Sequence, residues 1–489
     1  MASLRYQQVE LWIRQGIQEQ RWKAGERLPS IRDLCERFGV SKITVQHAFQ
    51  RLEAQRLVEA RPRSGYFVLE PVQCSPERHK DRCDPPKRVS EPADVTVHNL
   101  LLDVMERGAA FDLCPPSNLI AEGAPLIATD ALERQTGLTA LNRSLGRALR
   151  RQQNRHHSYY DQPAGEASLR FQISERYRRR STVLGVDDIC ISNGCQHSLF
   201  LALMAVCKAG DVVAVETPGF YGVLQLLEQL QIKVVEVPVI PTQGMDIQAL
   251  EQAVNRWPVR AVIITPAFAT PIGALMTDTA RRRLMALANE QDLAIIEDDI
   301  YAETAMGTMN SAADVELPLP LKALDSEQRV ILCGSYSKCL SKDLRLGWVA
   351  GGRWHASIVR LKLVSQLASN RSHQQGLADF IEDGGLVRHL KRYRQALREQ
   401  RDQLLQQLTH WPIADVHVPD GGLAMWIALP ESTDTLKLYG EALMSGIVIT
   451  PGPLFSASGA YRNCLRLSYA HAWTRQRCSR LERLKNLVR

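Results

Sequence analysis

The segment "SYSKCLSKDLRLGW", residues 335–348, decides how the second half of the chain is interpreted. It contains the end of the apolar run "RVILCGS", which predicts a β-strand, and it places Lys338 just past that strand. Lys342 follows at helical spacing, and we expect it to face solvent. A lysine among desolvating groups and near a cation such as Arg345 has a lowered pKa, which makes its amine nucleophilic toward an aldehyde. Whether Lys338 is such a lysine depends on the surrounding sequence.

Similar apolar, β-branched runs recur along this half of the chain: "DVVAVE", "KVVEVPVI", "AVIIT" and "LAIIED". Segments of helix length separate them. This alternation predicts parallel strands covered by helices on both faces, which is an α/β fold. From about residue 375 the pattern changes to a long helix, "LVRHLKRYRQALREQRDQLLQQL", followed by strands near "GGLAMWIAL" and "CLRLSYA". We therefore predict a smaller C-terminal α/β subdomain.

The length and composition exclude several classes of protein. A chain of 489 residues is too long for one ordinary core, so we expect two or more domains. No apolar run reaches the roughly 18 residues that a membrane span needs, and the N-terminus, "MASLRYQQVE", lacks the layout of a signal peptide. The eleven cysteines include no C-x-x-C pair, and this indicates neither a disulfide framework nor a zinc site. We expect a cytoplasmic protein that holds no metal.

Residues 72–105 separate two regions of different composition. They begin "VQCSPERHKDRCDPPKRVSEPADV", a stretch rich in proline and charge that suits an extended linker better than a packed core. The predicted domains are therefore 1–71, and 106–489 with its small subdomain. Residues 1–71 carry 12 Lys and Arg against 8 Asp and Glu, a net charge of +4 out of +7 for the whole chain. A local basic surplus of this kind is compatible with a phosphate backbone as partner.

Two short helices are predicted in "RLPSIRDLCERFGVSKITVQHAFQRL". Ser30 can cap a helix over residues 31–38, Gly39 ends it, and Ser41 can cap the next one. In the second helix the apolar side chains recur at helical spacing and are predicted to face the core: Val45, Ala48, Phe49 and Leu52. Two helices joined in this way form a helix-turn-helix. If a β-hairpin follows them, the whole is a winged helix-turn-helix domain of the α+β class. The alternative is a small helical domain that uses the same turn for protein contacts.

The following "ARPRSGYFV" predicts that hairpin, a wing with Gly65 in its turn and Arg61 and Arg63 at the height of DNA phosphates. On the second helix, side chains near the N-terminus are candidates for phosphate or base contacts. These candidates are Lys42, Thr44, Gln46 and His47.

Three other strand ends carry residues suited to a flat, phosphorylated cofactor. "ISNGCQ" puts Gly194 between a strand and a helix, where free amides and the helix dipole attract an anion. "VAVETPGFYG" puts Phe220 where its ring could stack on a cofactor, although such aromatics are more often core. "LAIIEDDIYAE" ends a strand on acids, so Asp298 could face a protonated ring nitrogen and Tyr301 a ring oxygen. The neighbouring Glu297 and Asp299 are expected to be ordinary solvated charges.

In their order along the chain, these motifs resemble those of fold-type I aminotransferases, which bind pyridoxal 5'-phosphate. The matching segments are "YDQPAGEASLR" (Tyr160–Arg170), "NGCQ", Asp298 to Tyr301, Ser335 to Lys338, "LRLGW", "PDGGLAMW" (419–426), "PGPLF" (451–455) and "LRLSYA". The resemblance implies that Lys338 forms the internal aldimine with the cofactor and that Arg466 binds a substrate or effector carboxylate. It also implies that Tyr160 reaches the phosphate in the partner subunit. The residues implied around the chain's own phosphate are Gly194, Cys195, Gln196, Ser335, Ser337 and Arg345.

One position departs from the family pattern. "FATPIGALM" has Thr270 where the family usually carries an asparagine that bonds the ring's 3'-oxygen. A hydroxyl can still donate this hydrogen bond, but it is shorter. We expect cofactor binding to survive, whereas efficient transamination becomes less certain.

The N-terminal region resembles the winged helix of the GntR family, including the R-x-P-S-x-R element formed by Arg27, Pro29, Ser30 and Arg32. The resemblance implies that this element meets DNA at the start of the first helix, and that Ser41 contacts DNA at the start of the second. A GntR winged helix joined to an aminotransferase-like domain is the architecture of the MocR subfamily of transcription regulators. The resemblance implies a head-to-tail homodimer that binds double-stranded DNA and responds to an amino compound or to pyridoxal phosphate itself. Two alternatives stay open: an active aminotransferase with an accessory DNA-binding domain, and a regulator whose cofactor site is only structural.

Overall fold

The computed structural model describes residues 5–18, 21–23, 25–54, 58–61, 65–68, 90–95, 100–106, 113, 138–153, 160, 162–307 and 315–488. The chain divides into two compact units, Met1–Lys80 and Asp81–Arg489. Among the described residues, no helix combines the length and the apolar character that crossing a bilayer requires.

The first unit is a winged helix-turn-helix. Its helices are α1 (Arg5–Gln18), α2 (Ile31–Phe38) and α3 (Lys42–Ala54), and strands β1 (Val58–Arg61) and β2 (Gly65–Val68) form the antiparallel wing. The four apolar residues predicted for the inner face of α3 are all fully buried. Phe49, one of them, stacks on Tyr66 of the wing with ring centroids 3.9 Å apart. Helix and wing therefore share one small core.

Local hydrogen bonds set the ends of these helices as the sequence predicts. The Ser30 hydroxyl accepts the Asp33 amide at 3.3 Å, and the Asp33 carboxylate accepts the Ser30 amide at 3.0 Å, which is a complete capping box. Gly39 ends α2 with φ +60°, a left-handed conformation that glycine adopts without a steric cost. The Ser41 hydroxyl accepts the Thr44 amide at 3.2 Å and starts α3.

The second unit is the predicted α/β domain. Its helices are α4 (Leu100–Glu106), α5 (Leu138–Gln153), α6 (Ala167–Arg178), α7 (Cys195–Val206), α8 (Tyr221–Gln229), α9 (Ile247–Arg256), α10 (Asp278–Glu290), α11 (His355–Gln366), α12 (Arg371–Glu382), α13 (Gly385–Leu408), α14 (Thr435–Met444) and α15 (Arg475–Leu487). Its strands are β3 (Ile189–Ser192), β4 (Val212–Thr217), β5 (Lys233–Ile240), β6 (Gly244–Met245), β7 (Val259–Ile264), β8 (Ala267–Ala269), β9 (Ala274–Leu275), β10 (Ala294–Asp298), β11 (Val330–Ser335), β12 (Gly347–Ala350), β13 (Asp415–Val416), β14 (Ala424–Ala428), β15 (Thr450–Pro451) and β16 (Cys464–Ser468).

An eight-stranded sheet in the order β3-β12-β11-β10-β7-β4-β5-β6 forms the centre of this unit. The five strands predicted from apolar runs, β4, β5, β7, β10 and β11, pair in parallel, as expected. Their C-terminal ends consequently lie at one edge of the sheet, where ligands of open α/β folds bind. β12 runs antiparallel to both neighbours, β11 and β3. We call the part built on this sheet the large lobe.

A second, antiparallel sheet in the order β13-β14-β16-β15 forms, with α14 and α15, what we call the small lobe. The predicted boundary near residue 375 is too early. Helix α12 packs against α5 and α6 and so belongs to the large lobe. The reason is that its apolar stripe, which includes Leu377 and Phe380, faces the core beside β3.

The linker prediction is wrong for the described residues near its C-terminal end. Ala93 forms a two-way backbone bridge with Val234 of β5, and α4 buries Leu101 and Val104 in the core of the second unit. Apolar side chains at helical spacing outweigh the proline- and charge-rich composition there. Residues 72–89 lie outside the described residues.

The two acids expected to be solvated are instead buried. Glu297 accepts the backbone amides of Leu321 and Lys322 at 2.7 and 3.0 Å. Asp299 pairs with the Arg180 guanidinium, with Arg180 Nη2 donating to Asp299 Oδ1 at 3.0 Å, and accepts the Tyr177 hydroxyl at 2.9 Å. Donors distant in the sequence make this burial possible, and no local pattern signals them.

The cysteines match the sequence expectation with one exception. Among the described residues seven are free thiols, but Cys464 takes part in a disulfide. The fold brings its sulfur to its partner, and spacing in the sequence could not show this.

The buried Asp299 should carry more of the folding free energy than an acid in an exposed ion pair. We expect Asp299→Asn to lower the free energy of unfolding of the second unit by about 3 kcal/mol, because the Arg180 charge stays buried without its counter-charge. Asp383→Asn is the control, since Asp383 and its partner Arg147 are both largely exposed and the loss of their ion pair should change the denaturant midpoint little. Equal midpoints for the two variants would contradict the expectation.

Candidate functional sites

The first candidate site is the polar face of the winged helix. None of the described side chains predicted to meet DNA is buried: Arg27, Ser30, Arg32, Ser41, Lys42, Thr44 and Gln46. The side chains of His47 and Arg61, and all of Arg63, lie outside the described residues. The exposed basic and hydroxyl groups could accept a phosphate backbone.

The start of α2 and the wing lie side by side. Arg27 forms an isolated antiparallel bridge with Phe67, and its guanidinium lies over Gly65, where an added Cβ would come 3.3 Å from Arg27 Nε. Gly65 has φ +104°, so a side chain there would be strained as well. Arg32 pairs with Glu36 across an exposed contact of 3.3 Å, which a DNA phosphate could replace.

The second candidate site lies at the C-terminal edge of the large sheet, and it begins with an anion cradle. Gly194 precedes α7 with φ +83°, and a Cβ there would come 2.8 Å from Arg345 Nη2. The Arg345 guanidinium donates to the Asn193 carbonyl at 3.3 Å. The Ser335 and Ser337 hydroxyls are 2.8 Å apart just beyond β11. Hydroxyls, a guanidinium and a helix start thus converge, which suits a phosphate.

Two residues of the predicted phosphate group point elsewhere. The Gln196 side-chain amide donates to the Gly222 carbonyl at 2.7 Å, and so connects α7 to α8. The Cys195 thiol donates to Asp298 Oδ1 at 3.1 Å. Their backbone amides still open α7, but the Cys195 side chain supports the acid instead of the phosphate.

The half-buried Lys338 and the buried Asp298 are two titratable groups at the centre of this site. Burial lowers the pKa of Lys338 to about 7, with the Arg466 charge lowering it further and Asp298 opposing the shift. Burial raises the pKa of Asp298 to about 6, against the hydrogen bond from Cys195. The Lys338 amine is therefore available as a neutral nucleophile near neutral pH. Lys342, in contrast, is exposed, as predicted.

Aromatic and hydroxyl groups line the space near this pair. Tyr301 is buried and hydrogen-bonds with Thr270; burial raises its pKa. Phe220 is half-buried at the start of α8, with its ring 5.0 Å from that of Tyr221. Tyr160, predicted to serve a partner subunit, is 80% exposed.

Arg466 enters the site from the small lobe. It lies on β16 opposite Trp426 and Thr450, is 5% exposed, and its guanidinium is 5.5 Å from the centre of the Phe455 ring. Its effect on the pKa of Lys338 shows that the two cations are close enough to interact. A buried cation on the small lobe can bind a carboxylate next to the reactive amine.

Sequence reasoning missed two residues of the site. Tyr393 on α13 donates its hydroxyl to the Lys338 carbonyl at 2.8 Å and so fixes the turn that carries the amine. Glu216 ends β4, accepts the Thr265 amide at 2.9 Å, and has its pKa raised by burial to about 8. The signal used for Asp298, an acid at the end of an apolar strand, also marks Glu216. Nothing local marks Tyr393.

Family comparisons match both units. Residues 134–481 match the aminotransferase class I and II family, and residues 5–68 match the gntR family of bacterial regulatory proteins. The aminotransferase family and its structures use pyridoxal 5'-phosphate, and the residues present fit it: an anion cradle, a buried acid and a half-buried lysine lie at one sheet edge.

Individual proteins support the same division. The chain is 35% identical over 471 residues to the uncharacterized HTH-type transcriptional regulator YjiR of Escherichia coli, with 95% of each chain covered. It is 33% identical over 486 residues to YdcR of the same organism, again an uncharacterized HTH-type transcriptional regulator, with 99% of each covered.

Among solved structures, α-aminoadipate aminotransferase LysN of Thermus thermophilus, complexed with N-(5'-phosphopyridoxyl)-L-leucine, superposes with a TM-score of 0.66 at 26% identity. The match covers 73% of this chain and 89% of LysN. The chain therefore belongs to the HTH-type transcriptional regulators that join a gntR-family domain to a class I and II aminotransferase domain, which is the MocR architecture.

Proposed function

We propose that this protein is a transcription regulator whose aminotransferase-like domain senses an amino compound, or pyridoxal phosphate itself, and thereby changes how the winged helix binds DNA. The observation that carries the proposal is the half-buried Lys338 amine, whose pKa is lowered to about 7 and which interacts with Asp298 and Arg466, in a chain that begins with a winged helix. A lysine that only carries surface charge keeps its ordinary pKa, whereas strongly shifted pKa values are concentrated at functional sites.

Each charged group has a role in the proposal. Lys338 bonds covalently to the cofactor's aldehyde carbon, Asp298 holds the ring nitrogen protonated, and the cradle of Gly194, Ser335 and Arg345 binds the phosphate. When bound, pyridoxal phosphate supplies an electrophilic carbon that primary amines exchange onto. Arg466 then selects amines that carry a carboxylate, so an amino acid is the preferred class of effector.

Sensing requires that the effector binds one conformation of the protein better than another. Lys338 stands on the large lobe and Arg466 on the small lobe, so one ligand that contacts both favours a particular arrangement of the lobes. The same preference must then alter DNA affinity, because binding free energies are reciprocally linked. We further propose a cytoplasmic head-to-tail homodimer. The 80% exposure of Tyr160 supports this, since that side chain is free to reach a partner.

An active aminotransferase is the second candidate function. The family match and the intact lysine, acid and arginine favour it. Thr270 weighs against it, because its hydroxyl hydrogen-bonds with Tyr301 and cannot at the same time fully replace the longer asparagine. The third alternative is a regulator whose cofactor site is purely structural. It does not explain why a lysine with a lowered pKa lies close to a buried arginine.

Removing the amine should separate the two halves of the proposal. We expect Lys338→Ala to abolish the visible absorption of the cofactor-loaded protein and the borohydride-stable adduct, while DNA binding in a mobility-shift assay stays within about threefold of wild type. Lys342→Ala is the matched control and should keep both signals, because Lys342 is exposed. A Lys338→Ala protein that stays coloured and is reduced onto another lysine would contradict the assignment.

The pH dependence of cofactor capture follows from the lowered pKa of Lys338. The neutral amine is the nucleophile, so the capture rate of apoprotein should rise with pH and reach half its maximum near pH 7 instead of near 10. Arg466→Gln removes a cation that lowers the pKa of Lys338, so the half-maximum should move to higher pH. Stopped-flow absorbance measures both, and an unshifted midpoint in Arg466→Gln would contradict the electrostatic account.

A panel experiment distinguishes sensor from enzyme. Purified, cofactor-loaded protein is mixed with single amino acids, with and without an oxo-acid acceptor, while the visible spectrum and the affinity for a DNA fragment from upstream of its own gene are followed. We expect one spectral change per added amine and a change in DNA affinity of about 5- to 150-fold, the usual range for coupled sites. Sustained turnover with unchanged DNA affinity would favour the aminotransferase.

A further inference from the structure

We infer that helix α4 (Leu100–Glu106), in the segment leading from the DNA-binding domain, couples the position of the small lobe to that domain. This inference rests on the proposed function and names the route of its regulation. The sequence predicts residues 72–105 as a free linker, yet the described part of this segment is held by both lobes.

The segment is first fixed to the large lobe. Ala93 and Val234 exchange backbone hydrogen bonds of 3.0 and 2.9 Å, so the chain extends alongside β5. The Glu236 amide donates to the Ser90 hydroxyl at 2.8 Å. These contacts fix residues 90–93 of the segment to β5 of the large lobe.

The same segment then contacts the small lobe. Leu101 and Val104 of α4 are buried, and the Tyr439 hydroxyl on α14 donates to Asp103 Oδ2 at 2.5 Å. Farther along, the Val448 amide donates to the Leu113 carbonyl at 3.3 Å. Movement of the small lobe relative to the sheet must therefore displace or strain this segment.

A continuous set of contacts connects α4 with the carboxylate-binding arginine. The Tyr221 hydroxyl meets Met105 Sδ at 3.3 Å, and the Tyr221 ring lies 5.7 Å from that of Phe455. The Arg466 guanidinium lies 5.5 Å from the centre of the same Phe455 ring. A carboxylate that binds Arg466 thus acts on a side chain that three successive contacts connect with α4.

Glu236 gives the two lobes a second junction at the same place. Its carboxylate accepts the Thr217 hydroxyl at 2.9 Å and the amides of Ala457 and Ser458, which closely follow Phe455, at 2.8 and 3.2 Å. Its backbone amide holds Ser90. Glu236 therefore binds both the segment before α4 and the loop that follows Phe455.

The size of α4 suits a responsive element. Seven residues are too few for an isolated helix to be stable in water, so α4 depends on its tertiary contacts. Leu102 and Met105 remain 66% and 45% exposed. An element held by few contacts opens easily, and a change in one contact alters its stability. Because spatial continuity alone does not demonstrate coupling, the exchange rate of this helix must be measured directly.

The test uses two ligands that differ in the carboxylate. Full-length apoprotein is loaded with pyridoxamine 5'-phosphate or with N-(5'-phosphopyridoxyl)-L-leucine, which adds a carboxylate for Arg466 and cannot turn over. Amide hydrogen exchange is followed by mass spectrometry. We expect both ligands to protect the start of α7, and only the leucine adduct to slow exchange across 100–106, by about threefold or more.

Two variants make the test specific. Tyr439→Phe removes one hydroxyl and should abolish the adduct's effect on 100–106 while leaving protection of α7 unchanged. Glu91→Gln is the control on the same segment, because the Glu91 carboxylate lies 3.5 Å from the Arg256 guanidinium in an exposed ion pair. This variant should show the same slowing of exchange across 100–106 as wild type. Equal exchange of 100–106 with both ligands, or a full response in Tyr439→Phe, would overturn the inference.

The outcomes also separate this inference from the proposed function. If the adduct slows exchange of 100–106 but leaves DNA affinity unchanged, the link between the small lobe and α4 stands, whereas its extension to the DNA-binding domain and the sensing function both fall. If DNA affinity responds while Tyr439→Phe responds like wild type, the function stands and α4 is not its route. Absence of protection at α7 with either ligand would overturn both.

Discussion

The chemistry of the second unit depends on one constraint, which is that a half-buried lysine amine lies close to a buried acid and a buried arginine. Lys338 follows β11, Asp298 ends the adjacent β10, and Arg466 comes from the other lobe. An isolated buried charge is costly, and here the cost is reduced because the pKa of the amine is lowered. The result is a neutral nucleophile near neutral pH, to which the small lobe contributes through the Arg466 charge.

The parallel sheet makes this possible because it brings strand ends together from distant parts of the sequence. Glu216, Asp298 and Ser335 lie at the ends of β4, β10 and β11, at the same edge. Each of the parallel strands is dominated by apolar, mostly β-branched residues, so the fold could be predicted from the sequence. The winged helix, with its capping serines and inner face, could be predicted as well. The antiparallel β12 and the later start of the small lobe could not, since they depend on packing between segments far apart.

The candidate site was predictable in composition but not in contacts. Motif order identifies Lys338, Asp298 and Arg466, yet the Cys195 thiol supports Asp298 instead of the predicted phosphate. Asp299 follows Asp298 directly and sequence alone treats it as solvated. Its partners Arg180 and Tyr177 lie more than a hundred positions away, so its burial is a property of the tertiary fold. The same limit applies to Tyr393, which supports the lysine turn from α13.

The segment before the second unit shows how composition can mislead about function. Prolines and charges suggested a passive tether, whereas its described end joins β5 on one lobe and Tyr439 on the other. A tether fixed to a single rigid body would transmit nothing, because no ligand could change its anchoring. A segment fixed to two lobes reports their relative position, and the same ligand that contacts Lys338 and Arg466 also contacts both lobes. In the proposed function, the effector site and the DNA-binding domain are connected through one variable, the separation of the lobes. An amine that favours one separation would then also favour one state of the segment.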